Sequence, residues 1–334
     1  LFDRRLGTVS ARRAPVDEVA GLLELFDTRY FDFTPKHFHE KLVAEHGITR
    51  SYNWVRLTLQ AHGRVTPAPR RGAHRRKRPR RPMKGMMLHQ DGSRHAWVPG
   101  ESWDLIVTLD DATSEIYSAF FVAEEGTMST FRALGEVIAK HGLFCALYAD
   151  RGSHYWHTPA AGGKVDRDNP TQVGRALRQL GIELIPAYSP EARGRSERMF
   201  ATLQDRLPKE LRLAGITGMD AANRFLADDY LPRHNARFAQ APEEAGTAFV
   251  PFAGTLENIL CVQEERLVGN DNTVRYQRRV LQIPADRHRH HYVKATVRVH
   301  ENPDGTLAVF HGPRRLARYS ASGTLLDEPG QRAA

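Results

Sequence analysis

The spacing of apolar residues changes character along the chain, and each change marks a different kind of element. Over residues 16–26, Val16, Val19, Ala20, Leu22, Leu23 and Phe26 recur at the spacing of one buried helix face. Thr34-Pro35 opens a second helix, because a proline at the first helical position gives up an N–H that has no partner there. Its stripe is Phe38, Leu42 and Val43, and Gly47 ends it. Thr49-Arg50-Ser51 opens a third, with Trp54, Val55, Leu57 and Leu59 on its face. Three short helices with a glycine-containing turn before the last have the form of a helix-turn-helix module over 1–62. A small helical bundle would show the same pattern.

The periodicity then stops. Residues 63–85 contain Pro67, Pro69, Pro79 and Pro82, which forbid a long helix, and nine of the fifteen residues from 70 to 84 are Lys or Arg with no acid among them. Self-repelling charge and proline predict an extended linker.

From 86 to 206 the pattern is the most regular in the chain. Strands are expected at 86–96, 103–109 and 115–122, joined by tight turns, the second turn carrying Asp110 and Asp111. A helix begins at Thr127 and closes at Gly142, and 143–149 reads as a strand buried on both faces. After a loop at 151–169, residues 171–180 form a helix ended by Gly181, 182–185 another buried strand, and a long helix runs to about Leu207. The order is β-β-β-α-β-α-β-α. Tight turns make part of the sheet antiparallel and helical crossovers make the rest parallel, as in the ribonuclease H fold. The expected core, 86–250, is thus mixed α/β with five strands. Beyond it, helix is clearest at 221–230 and ends at Pro232. Strands at 274–283, 293–300 and 306–310 imply a small all-β, barrel-like domain over 256–320, with a frayed tail at 321–334.

Composition adds a partner. There are 48 Lys and Arg against 39 acids, a net charge of +9, which favours a polyanion such as DNA. Two cysteines far apart, Cys145 in an apolar run and Cys261, cannot staple the chain, which fits a reducing cytoplasm. His288, His290 and His291 are dense, but Arg287 and Arg289 interleave them, and a phosphate-facing edge suits them better than zinc. No run approaches a membrane span. The first residue is Leu1, so a fragment lacking its natural start is expected.

Three acids stand apart from the ordinary ones. Asp91 lies in the first core strand, Asp150 follows the fourth, and Glu197 sits in the first turn of the long helix, with Met199, Phe200, Leu203 and Leu207 on the buried stripe beside it. Two carboxylates at adjacent strand ends and a third from a facing helix are a scaffold for hard divalent cations. Each also has a plain reading: a turn residue, a loop start, a helix-start carboxylate favoured by the dipole.

Gln90-Asp91-Gly92-Ser93, Tyr148-Ala149-Asp150-Arg151-Gly152-Ser153-His154 and Ser189-Pro190-Glu191-Ala192-Arg193-Gly194-Arg195-Ser196-Glu197-Arg198 resemble the three catalytic blocks of DDE transposases and retroviral-type integrases. With Thr202-Leu203-Gln204-Asp205-Arg206-Leu207 they look most like bacterial insertion-sequence transposases of the ISNCY type. The resemblance implies that Asp91, Asp150 and Glu197 hold two Mg²⁺ ions, with Mn²⁺ able to substitute, for transposon-end cleavage and strand transfer. It implies DNA and further copies of the chain as partners, at the bacterial nucleoid. Arg75, Arg76, Lys77, Arg78, Arg80, Arg81, Arg151, His154, Arg193, Arg195 and Arg198 are the expected DNA contacts. The 47 positions from Asp150 to Glu197 exceed the gap in many integrases. A catalytically idle DNA-binding protein of the same fold, and a ribonuclease H-type nuclease, are the alternative functions.

Overall fold

The structure is a computed structural model and describes residues 13–67, 78–160, 163–188, 194–285 and 289–327. The chain divides into two compact units: Leu1–Lys77 with Thr202–Ile216, and Arg78–Ala201 with Thr217–Ala334.

In the first unit, α1 (Val16–Arg29), α2 (Pro35–His46) and α3 (Tyr52–Ala61) follow the three apolar stripes. The side chain of Ser51 caps α3 by accepting from the Trp54 N–H, and Gly47 closes α2 at φ 64°, a conformation that suits glycine. Leu22, Phe26, Tyr30, Phe33, Phe38, Leu42, Val55 and Leu59 form one buried cluster. A polar knot lies beside it. Glu210 accepts from Lys41 Nζ at 2.8 Å, while its other oxygen is 2.7 Å from His37 Nε2. Burial alone would raise the Glu210 carboxyl, but hydrogen bonds from His37 and Lys41 bring it down to about 2.

In the second unit, β1 (Leu88–Val98), β2 (Glu101–Asp110), β3 (Ile116–Val122), β4 (Ala146–Ala149) and β5 (Glu183–Pro186) make one sheet in the order β3-β2-β1-β4-β5. β1, β2 and β3 pair antiparallel, and β4 pairs parallel with both β1 and β5. The mixed, ribonuclease H-like sheet is therefore the observed one. α4 (Thr127–His141) and α5 (Gln172–Leu180) cover one face, where Leu88, Leu134, Val137, Leu147, Val173 and Leu177 share a core. Thr171 caps α5 by accepting from the Gly174 N–H, and Gly181 ends it at φ 70°.

Five local expectations change. α6 (Gly194–Leu213) continues past Leu207 with Pro208 inside it. α7 (Met219–Phe225) runs through a wide π turn at Leu226–Tyr230 into α8 (Leu231–Phe238), so Pro232 does not end the helix. It falls in the first turn after the π segment, where a missing N–H costs least. Cys145 is exposed: it precedes β4, and only its backbone is engaged, with Gly85 and Glu183. After β6 (Val262–Leu267), the single strand expected at 274–283 is a two-stranded hairpin, β7 (Thr273–Tyr276) and β8 (Arg279–Gln282), turning at Gln277 with φ 52°. Finally, β9 (Thr296–Glu301), β10 (Leu307–His311), β11 (Arg314–Tyr319) and β12 (Leu325–Asp327) join β6 in a second five-stranded sheet, β12-β11-β10-β9-β6, more strand than the apolar runs indicate. Among the described residues no helix is long and apolar enough to cross a membrane.

Candidate active site

The central strands set the site's geometry. In the parallel pair, His89 of β1 stands opposite Tyr148 of β4. Two residues farther along come Asp91, still inside β1, and Asp150, the first residue past the end of β4, on neighbouring strands ~4.8 Å apart. Asp91 is 8% exposed. Asp150 Oδ1 accepts from the Gly152 N–H at 2.8 Å, an Asx turn that redirects the chain out of the sheet.

Two glycines make room around these acids. A Cβ on Gly92 would come 2.3 Å from Glu125 Oε2, so the glycine after Asp91 lets a further carboxylate lie against β1. A Cβ on Gly152 would meet Asp150 Oδ1 at 2.9 Å and the His154 ring at 3.1 Å. Burial raises the Tyr155 phenol well above its ordinary range, and the charges of Glu125, Asp150 and Asp91 add to it. Sequence reasoning passed over Glu125, one of the Glu124-Glu125 pair just before α4.

Glu197 stands exposed in the first turn of α6. Among the described residues no group of three or more His, Cys, Asp or Glu side chains lies close enough to hold a metal ion. The donor set is all oxygen, which suits a hard cation. Two of its three members lie on neighbouring strands, and the third is not gathered with them.

Asp110 and Asp111 have structural partners. Asp110 accepts from the Gly85 and Thr113 N–H groups, both at 2.9 Å, and closes the β2–β3 turn. Asp111 is fully buried and gathers four donors: His89 Nε2 at 2.7 Å, the Arg81 N–H at 2.7 Å, and the guanidinium groups of Arg78 and Arg195. Burial works against ionisation, but hydrogen bonds from His89 and the Arg81 N–H, with the Arg195 charge, hold the Asp111 carboxyl far below the usual range.

The basic residues divide accordingly. Arg75, Arg76, Lys77, Arg193 and His288 lie outside the described residues. Arg195, expected on phosphate, is turned inward: its side chain is 9% exposed, and besides Asp111 it donates to the Arg78 carbonyl at 2.9 Å. Arg80 donates to the Asp111 carbonyl at 2.8 Å. Arg151 donates to the Gly163 carbonyl at 2.8 Å and lies over the Tyr188 ring. Arg198 is exposed, with its Nε on the Gly194 carbonyl. His154 lies 3.6 Å from Glu125, and its ring packs on Tyr155. Tyr155 and Trp156 belong to the core and pin the loop.

No protein-family model matches the chain. It is 35% identical over 288 residues to the putative transposase y4bF of Sinorhizobium fredii, covering 84% of this chain and 62% of that one. It is 32% identical over 202 residues to the transposase for insertion sequence IS1202 of Streptococcus pneumoniae, covering 60% and 43%. The chain thus spans about three fifths or less of the curated relatives it matches. Among solved structures, the HTLV-2 integrase catalytic core domain in complex with magnesium matches at 15% identity and a TM-score of 0.33, over 42% of this chain and 83% of that one. A simian T-cell lymphotropic virus intasome, solved with the PP2A regulatory subunit B56 gamma, matches at 15% identity and 0.37, over 90% and 100%.

Proposed function

We propose, from its 35% and 32% identity to two bacterial transposases, that the chain carries the catalytic core of a DNA transposase that cuts the ends of its element and joins them to target DNA. The observation that supports this best is the register of β1 and β4, which sets Asp91 inside β1 beside Asp150 at the end of the adjacent strand. Glu197 is the third acid of the reading, brought to the aspartates when metal and DNA are bound.

Asp91, Asp150 and Glu197 would hold two Mg²⁺ ions, with Mn²⁺ as substitute. When bound, such ions relieve charge on the scissile phosphate and acidify the attacking hydroxyl. In the first step a water oxygen attacks phosphorus and the bond to the 3′-oxygen breaks, freeing a 3′-OH at the element end. That oxygen then attacks a target phosphodiester, loses its proton, and displaces the target's own 3′-oxygen. Each bond made replaces one broken, so the enzyme carries no covalent intermediate. Asp91, buried in the sheet, contributes a fixed carboxylate, and Asp150 is held by its turn. Arg198 and the linker would contact phosphate, and paired ends call for at least two copies of the chain.

Strand transfer with Mg²⁺ and a duplex bearing the terminal repeats that flank the gene tests this. Glu197→Gln should lower end joining by about 10²–10³-fold, the loss expected when a group stabilising transition-state charge is removed. Unchanged joining would remove Glu197 from the site. Binding without joining by the unaltered chain would make it the idle DNA-binding protein, and cleavage of RNA–DNA hybrids alone would make it a nuclease.

A further inference from the structure

A cavity of about 220 Å³ lies between the loop that follows Asp150, the first turn of α5 and the edge strand β5. Tyr155, Trp156, Leu177 and Leu184 give it an aromatic and aliphatic wall, and Thr171 and Gly174 bring in the start of α5. Tyr155 and Trp156 follow Asp150 by five and six positions, and both their backbone N–H groups donate to the Gly152 carbonyl at 3.0 Å. The wall is thereby fixed to the strand end that carries Asp150. Trp156 is 8% exposed, and its indole N–H has no hydrogen-bond partner among the described residues. Leaving a buried donor unpaired is costly, so an acceptor brought by a ligand is favoured there. The rim carries charge of both signs. Arg167 and Arg178 are exposed, and Arg178 donates to the Arg167 carbonyl at 2.9 Å, which keeps the two together. Of the two acids, Asp166 accepts from the Asp168 and Asn169 N–H groups and from the Asn169 side chain, whereas Glu183 stands exposed on β5.

We propose that this cavity binds one nucleotide, with its base against Trp156 and its phosphate at Arg167 and Arg178. A nucleotide is a flat ring with hydrogen-bond acceptors on its edge, joined to a phosphate. The wall answers the ring and its acceptors, while two guanidinium groups and the N-terminal turn of a helix answer the phosphate. Volume sets the number. Pockets for drug-sized ligands run to roughly 300–1,000 Å³, so this smaller one takes a single base. A further β-strand is the other occupant an edge strand invites, but Pro186 has no N–H to offer and blunts β5. Two sources supply the chemistry: a free mononucleotide, or a nucleotide swung out of DNA held at the neighbouring acids. Only the second source rests on the transposase reading.

Saturation-transfer NMR of the full chain with each of the four deoxynucleoside monophosphates tests the free form. For the strand-borne form, a duplex from the end of the element carries 5-iodouracil at successive positions and is photocrosslinked, and the crosslinked peptide is mapped by mass spectrometry. A signal in either arm supports the site when the variants respond as the geometry requires. Leu184→Trp, which fills the cavity, should abolish it. Trp156→Phe keeps an aromatic wall without the donor and should weaken binding about 2- to 10-fold. Arg167→Gln should weaken it about 2- to 5-fold, the range for an exposed charge pair. Glu183→Gln removes a charge that repels phosphate and should tighten it. Arg167 and Glu183 are exposed, so their opposite effects carry the test if a variant of the wall melts early. No signal in either arm overturns the proposal, as does a signal that survives Leu184→Trp in a folded chain or strengthens with Arg167→Gln. Mononucleotide binding by a chain that joins no DNA ends keeps this site and drops the transposase reading, and end joining with neither signal does the reverse.

Discussion

At the scale of single residues, His300 of β9 shows what burial does to a group without a partner. It is 4% exposed, its ring stacks on Phe310 at 4.2 Å, and neither ring nitrogen has a hydrogen bond. Burial first, then the charges of Arg298 and Arg175, lowers its pKa to about 4. The unfolded chain takes a proton near pH 6.5. Above that value both states are neutral and the residue contributes nothing to pH dependence. Between 6.5 and about 4 only the unfolded state is protonated, so stability falls with pH, by on the order of 3 kcal/mol at the full shift. His300→Phe should remove this part of the slope: the gap in melting midpoint between variant and unaltered chain should widen in the variant's favour from pH 6.5 to 4. A constant gap over that range would show that the imidazole is protonated in the fold. Which aspartate matters was less legible at this scale. Asp110 and Asp111 look alike in a hairpin turn, and what separates them is donors 22, 33 and 84 positions away.

At the scale of elements, the exposed edge of the main sheet is closed by two side-chain amides. Asn223 of α7 accepts from the Phe121 N–H at 2.7 Å and donates to the Phe121 carbonyl at 3.1 Å. Asn235 of α8 does the same at Ile116, with 2.9 and 2.8 Å. β3 ends the sheet, so these backbone groups have no strand to pair with, and the amides both satisfy the edge and blunt it. Asn223→Ala and Asn235→Ala should each cost about 1–3 kcal/mol, the price of unpaired edge groups. Five strand residues separate the two sites, roughly 17 Å, so the double variant should melt lower by close to the sum. Markedly less than the sum would mean that one contact depends on the other. Placing both amides on one helical span depends on the π turn that carries the chain past Pro232. Propensity reads that proline as a stop, because a missing N–H breaks an ordinary α-helix. The strands were plainer: β4 is a continuous, mostly buried apolar run, whereas β5, expected to be buried, lies at the sheet edge with Glu183 exposed and only Pro186 buried.

For the whole molecule, order along the chain was enough to read the sheet, because tight turns and helical crossovers leave few ways to pair five strands. Convergence of the acids was not readable in the same way. Asp91 and Asp150 inherit their places from strand register, whereas Glu197 depends on tertiary contacts at the start of α6. The basic linker raises the same distinction for charge. Arg78 and Arg80 are spent on Asp111 and its carbonyl, so they stabilise the hairpin from which the site is hung. Arg75, Arg76 and Lys77, three consecutive cations just before them, are the ones the proposed function counts against phosphate. Replacing all three with alanine should therefore weaken duplex binding almost equally for any sequence. It should reduce the slope of log affinity against log salt by roughly 2.7, at about 0.9 per phosphate released. Arg78→Ala should instead lower the melting temperature and move the slope by less than one such unit. Anisotropy titrations of a short labelled duplex from about 50 to 200 mM salt separate the two. A triple variant with an unchanged slope would move the electrostatic contact away from the linker, to the basic strands of the β domain.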